Sequence, residues 1–132
     1  MDFELPSDFM DVEDEKLMSE GRYRLVIAGA DTEKTPGNAF VTKNGEPMVR
    51  CRVEFGDNPE GSSIFHYLII PNEKSKPGTV RMTKRFLIAF GVDFADGISV
   101  DALLGCDAQI DVGIEHSDQY GDKNVIRLPK FD

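Results

Sequence analysis

Two pairs of arginines, Arg22 with Arg24 and Arg50 with Arg52, each stand two residues apart among apolar neighbours. Side chains two apart on an extended strand point to the same side. Each pair therefore sets two guanidiniums on one face, and antiparallel pairing of the two consecutive strands would bring all four to one surface. Planar guanidiniums suit phosphate oxygens. Phe65 and Tyr67 repeat the same spacing on a later strand. Phe40 and Tyr120 lie in polar stretches where a ring has no obvious core to join, and Lys34 and Lys43 share the stretch that holds Phe40. Cations that follow phosphates, together with flat rings on which bases stack, are what a single-stranded nucleic acid asks of its binder. Taken singly, each arginine would be an ordinary solvent-facing strand residue; their alignment gives the reading its weight.

Enzyme chemistry is not legible. There is no glycine loop ending in Lys-Ser or Lys-Thr to cradle phosphates, and no paired glycines open a helix after a strand. No Ser, His and Asp arrangement suggests an activated nucleophile. Asp107, Asp111, Glu115 and Asp118 could in principle hold Mg²⁺ as in a nuclease. The first three alternate with apolar residues, so a solvated strand face explains them better. His66, between Phe65 and Tyr67, reads as a strand residue before it reads as a base. Cys51 and Cys106 fall on the apolar side of strand patterns, which favours two buried thiols over a disulfide or a ligand pair. No catalytic residue, metal or cofactor is expected.

Composition bounds the rest. The chain has 132 residues, 40% hydrophobic and 30% charged, which fits one domain with a real core. No apolar run approaches the roughly 20 residues of a membrane-spanning helix, and the acidic start is unlike a secretory signal; the expected location is the cytoplasm. The net charge of −9 argues against a nucleic-acid binder until it is divided along the chain. Residues 1–20 carry eight acids and one Lys, residues 21–85 carry eleven bases and seven acids, and residues 86–122 carry eight acids and no Lys or Arg. The local field, more than the net charge, decides what is attracted.

Residues 1–20 are expected to form an acidic flexible tail, and residues 21–132 the folded domain. Alternation predicts strands at about 21–30, 48–55, 63–70, 106–115 and 124–128. A helix is predicted from about Val80 to Phe90, with Thr79 as N-cap and Gly91 in the C-terminal left-handed position. A second helical turn is predicted at Ser99 to Leu104. The run 63–70 is apolar on both parities. If Ile64, Leu68 and Ile70 fill the core, Phe65 and Tyr67 face outward; the opposite assignment buries the rings. Five strands with one main helix between strands 3 and 4 make an all-β chain of the OB type, a five-stranded barrel. An open α+β sheet has the same count, but it leaves backbone unpaired at its edges.

These segments resemble a family. Gly21-Arg22-Tyr23-Arg24-Leu25-Val26-Ile27 is similar to the opening strand of small phage OB-fold proteins that bind single-stranded DNA in replication or recombination. Asn44-Gly45-Glu46-Pro47-Met48-Val49, Lys84-Arg85-Phe86-Leu87-Ile88-Ala89-Phe90-Gly91 and Leu103-Leu104-Gly105 resemble their later course. The likeness covers residues 21–128 and lies in glycines, alternation and order. One departure is clear. Bacterial single-stranded DNA-binding proteins end in an acidic tail with an apolar tip, whereas this sequence ends Arg127-Leu128-Pro129-Lys130-Phe131-Asp132 and has its acidic block at the start.

The expected function is sequence-tolerant binding of single-stranded DNA, without catalysis, through Arg22, Arg24, Lys34, Phe40, Lys43, Arg50, Arg52, Phe65, Tyr67 and Tyr120. The loops holding Phe40 and Tyr120 correspond to those that flank the groove of an OB barrel. The expected partners are single-stranded DNA, replication or recombination proteins met by the acidic tail, and further copies of the chain, with no membrane. Tethered beside the basic strands, the tail could also compete with DNA, although a plain solvated tail explains it as well. The alternative function is a protein–protein adaptor or phage structural module on the same barrel, which the net acidity favours.

Overall fold

The computed structural model describes residues 1–11 and 14–131; Val12, Glu13 and Asp132, which fall within the expected tail and domain, lie outside the described residues. The longest strand on the amino-terminal side, β1 (Gly21–Asp31), is the spine of the molecule. Its first half pairs antiparallel with β6 (Asp107–Ser117), from Gly21 opposite Val112 to Val26 opposite Asp107. Its second half pairs antiparallel with β4 (Met48–Phe55), from Leu25 opposite Phe55 to Asp31 opposite Arg50. The register shifts between Ile27 and Gly29, and such an irregularity bends a strand. The two pairings use opposite edges of β1 and overlap at Leu25 and Val26. Next come β5 (Ile64–Ile69) beside β4, and β7 (Gly121–Arg127) beside β6, giving the order β5-β4-β1-β6-β7. With β5 and β7 drawn together, the five strands form a nearly closed, all-β barrel of the OB type.

The alternation in the sequence is the alternation in space. Leu25, Ile27, Val49, Cys51, Val53, Phe55, Ile64, Leu68, Ile110 and Val112 point inward and are buried. Each large side chain so buried stabilises the fold by about 1.5–3 kcal/mol. Cys51 is a free, buried thiol, and burial pushes its pKa up to about 12; Cys106 is free and half-buried.

Helix α1 (Pro77–Ala89) covers the barrel with Phe86 and Leu87 and is followed by buried Phe90. It starts earlier than the pattern predicts. Its N-cap is Lys76, not Thr79, and Pro77 opens the first turn, where a fixed φ and a missing N–H cost nothing. It ends as predicted. Gly91, at φ +66°, donates to Ile88 O, and Val92 donates to Leu87 O, which satisfies the last carbonyls. The short α2 (Val100–Leu103) is capped by Ser99, whose Oγ accepts from Ala102 N.

Two features were not in the pattern. The loop after β1 contains a two-stranded ribbon, β2 (Glu33–Thr35) and β3 (Asn38–Ala39), turned at Pro36-Gly37. Counted with these, α1 lies between the fifth and sixth strands rather than the third and fourth. The second feature is a strap at the seam between β5 and β7. Lys16 forms a parallel bridge with Gly61, donating to Glu60 O and accepting from Ser62 N. Two residues on, Met18 is buried, and the Asn124 amide grips its N–H and C=O at 2.9 and 2.8 Å. The packed region thus begins by residue 16, ahead of the boundary that charge density suggests. One apolar residue among many acids gives no periodic signal.

Candidate nucleic-acid interface

β4 and β5 present one outer face. Arg50 lies opposite Tyr67 and Arg52 opposite Phe65. Phe65 is 52% exposed and Tyr67 48%, while Ile64 and Leu68 on the other parity are buried. The ambiguity of this strand is resolved in favour of outward aromatics. The reason lies opposite the inner side: α1 supplies Phe86, against which the inward His66 ring stacks at 4.6 Å and 10°. Burial drives the His66 pKa down to about 4, so the ring is neutral.

The face is a compact array of cations and rings. The Arg50 guanidinium lies 5.3 Å from the centres of both Phe40 and Phe65. Phe40 meets Tyr67 edge-on at 5.7 Å, and Lys34 Nζ is 6.0 Å from the Phe40 ring. Arg50 also donates to Asp31 at 3.0 Å, which raises its pKa, and Arg52 pairs with Glu54 at 3.3 Å. β1 meets β4 so that Asp31 faces Arg50. Beyond β5, toward β7, a cleft of about 490 Å³ is lined by Phe65, Tyr67, Lys123 and Asn124 among others.

Two sequence expectations need correction. Phe40 is 4% exposed. The loop folds back on itself, with Phe40 N donating to Thr32 O and Met48 N to Phe40 O. Buried Glu46 anchors it by accepting from the Thr42 hydroxyl at 3.0 Å and the Ser75 hydroxyl at 2.5 Å. Phe40 is therefore a support beneath the array, not a free stacking platform. Second, the four arginines do not share one patch. Antiparallel register places Arg52 opposite Gly29, five residues along β1 from Arg24, or about 16 Å at the rise of a strand. Arg22 and Arg24 instead face β6, where Arg22 pairs with Asp111 at 3.5 Å and Arg24 with Asp107 at 2.9 Å. Arg24 is further held by Asp57, the main cause of its raised pKa, and among the described residues neither arginine lies over a ring. Gly56 makes room for this pair, since a Cβ there would stand 2.5 Å from the Arg24 guanidinium. Tyr120 is 83% exposed on the β6–β7 turn, as expected of a loop ring, and none of the ring contacts of the array reaches it among the described residues. Lys43 is exposed at the tip of the loop that carries Phe40.

The acidic strand β6 is an exterior face, as its alternation indicates. Among the described residues, no group of three or more His, Cys, Asp or Glu side chains is arranged to hold a metal ion. No described helix is long and apolar enough to cross a membrane. Sequence reasoning missed one cationic group: Lys74 and Lys76 just before α1, and Arg81, Lys84 and Arg85 on it. The run from 74 to 85 contains no acid, and that was the available signal. The sequence matches no protein-family model, and a comparison with curated proteins gives no significant match.

Proposed function

We propose that this chain binds single-stranded nucleic acid, DNA above all, without catalysis and with little regard to sequence. Its setting would be the replication or recombination served by the phage proteins it resembles. The observation that carries the reading is the outer face of β4 and β5. There two half-exposed rings alternate across strands with two arginines, at the position where OB barrels take oligonucleotides. Rings stack on any base, and cations follow any phosphate, so such a surface is sequence-tolerant. The supporting shell of Phe40 and Asp31 holds Arg50 in place before a ligand arrives, which lowers the ordering cost of binding.

A second reading, a protein–protein adaptor, is favoured by one observation: all four strand arginines already face carboxylates. Fluorescence anisotropy with labelled oligothymidine and with duplex, across a salt series, separates the two. The expected outcome is tighter binding to the single strand and affinity that falls with salt by about 0.7 per phosphate on logarithmic axes. Folded protein that binds neither at low salt belongs to the adaptor reading.

The acidic tail has a role under the same proposal. Phe3 and Phe9 are exposed, and the strap roots the segment beside β5. As a tethered competitor it weakens binding at low salt. Removing residues 1–11, which leaves the strap intact, is expected to tighten single-strand affinity, most at low salt. Equal affinities with and without the tail would show it to be inert.

A further inference from the structure

The strand arginines all face acids, but the cations around α1 do not. Lys74, Lys76, Arg81, Lys84 and Arg85 take part in no ion pair among the described residues. Lys84 Nζ sits over the Phe131 ring at 4.6 Å. Arg85 Nε is buried without a hydrogen-bond partner, and its Nη1 touches Met82 Sδ at 3.6 Å. On a protein of net charge −9 this is a run of positive charge with no carboxylate partner among the described residues. Arg81 and Arg85 are one helical turn apart and share a face.

The patch is continuous with the aromatic array through Tyr67. A cleft of about 320 Å³ separates the free edge of β5 from α1, lined by His66, Tyr67, Ile69, Thr79, Met82 and Thr83. The Thr83 hydroxyl donates to Ile69 O at 2.6 Å and ties helix to strand. Met82 is 48% exposed at its rim. One wall is thus a ring, the other a polarisable thioether, and the cations lie just beyond.

We propose that this cleft and the adjoining face of α1 form the second half of the nucleic-acid site: a base enters between Tyr67 and Met82, and the phosphates that follow it lie on Arg81, Arg85 and Lys76. The inference rests on the single-strand reading and extends it to residues that reading does not use. Electrostatics favours this half. An unpaired cation binds phosphate with full release of the condensed counterions, whereas Arg50 and Arg52 must first exchange a carboxylate.

The test compares two double variants that remove equal charge. Full-length Arg81→Ala/Arg85→Ala and Arg22→Ala/Arg24→Ala proteins are titrated with labelled oligothymidine across a salt series. The α1 variant is expected to lower the slope of log affinity against log salt by about 1.4, the worth of two phosphates, and the β1 variant to leave it unchanged. Lys76→Ala/Arg81→Ala, on two exposed residues, replaces the first variant if loss of Arg85 lowers the melting temperature. Equal slope changes in the α1 and β1 variants would reveal a general charge effect and overturn the inference. So would an unchanged slope in the α1 variant while Phe65→Ala/Tyr67→Ala weakens binding, and in that case the single-strand reading stands. Absence of single-strand binding by the unaltered chain removes both.

Discussion

The outer faces of β4–β5 and of β1–β6 are built from the same strand rule and carry the same number of assigned arginines, yet they differ in what stands beside each guanidinium. Arg22 and Arg24 look across to Asp111 and Asp107. Arg50 and Arg52 look across to Tyr67 and Phe65. On the first face a cation meets a carboxylate in water, an arrangement worth about 0–1 kcal/mol and already satisfied. On the second, Arg50 and Arg52 also have carboxylates, Asp31 and Glu54, but Arg50 lies over Phe65, which remains half exposed, and a ring in water is still available to a base. The difference teaches that a row of arginines is defined by the neighbouring strand, which only the register supplies.

The comparison can be broken first through its support. Phe40 is nearly fully buried under Arg50 and against Tyr67. Phe40→Ala is expected to cost about 3–5 kcal/mol of stability, read by thermal or denaturant unfolding. A variant as stable as the parent would mean that the loop packs loosely and the array is not pre-formed.

The inner and outer rings of β5 give the next contrast. His66 has a folded pKa of about 4 against an ordinary 6.5. The unfolded chain therefore takes up the proton first as pH falls. The stability that neutral, half-buried His66 contributes is fully present above 6.5 and is lost as pH drops toward 4, a total of about 3 kcal/mol. His66→Phe should flatten that part of the stability profile. An equally steep profile in the variant would place the acid sensitivity elsewhere. Exposed His116 has a pKa raised by Asp122 and then Asp118, so its contribution has the opposite sign and fades as pH rises.

On the outside, Phe65→Ala and Tyr67→Ala are each expected to weaken single-strand binding by about 1–3 kcal/mol, as lost stacking does. Their exposure means the melting temperature should scarcely move. A large drop in stability with unchanged affinity would make them packing residues. The smallest effect separates the two faces: Arg50→Ala should lower the salt slope by less than the roughly 0.7 of a full phosphate contact, because Asp31 must first release the guanidinium, while Arg22→Ala, away from the rings, should leave it alone. Equal responses would erase the distinction.

Most of the fold was legible because the core-facing parities of β1, β4 and β6 are apolar, most cleanly in β4, where Val49, Cys51, Val53 and Phe55 alternate with Arg50, Arg52 and Glu54. Met48–Phe55 matches its predicted span residue for residue. Less of the site was legible. Arg50, Arg52, Phe65 and Tyr67 came together because pairing across adjacent strands follows from chain order. Phe40 was misplaced because its burial depends on a loop anchored by Glu46 and Ser75, 29 residues apart, a contact no local pattern encodes. The Arg22 and Arg24 pair was misassigned for a related reason. β1 pairs on both edges, with β6 over Gly21–Val26 and with β4 over Leu25–Asp31, and no local pattern says which stretch meets which neighbour. Met18 escaped notice because a single buried residue in an acidic segment has no period.

The central claim is that the β4–β5 face takes a single strand by stacking and by phosphate contact together. Anisotropy of labelled oligothymidine against the unaltered chain and the Phe65→Ala/Tyr67→Ala variant, across a salt series, tests it most directly. The account predicts that the unaltered chain binds the single strand more tightly than duplex. It further predicts that the variant loses affinity at every salt concentration while keeping its salt slope, since rings carry no charge. Undiminished binding by a folded variant, or no binding by the unaltered chain at low salt, would contradict it.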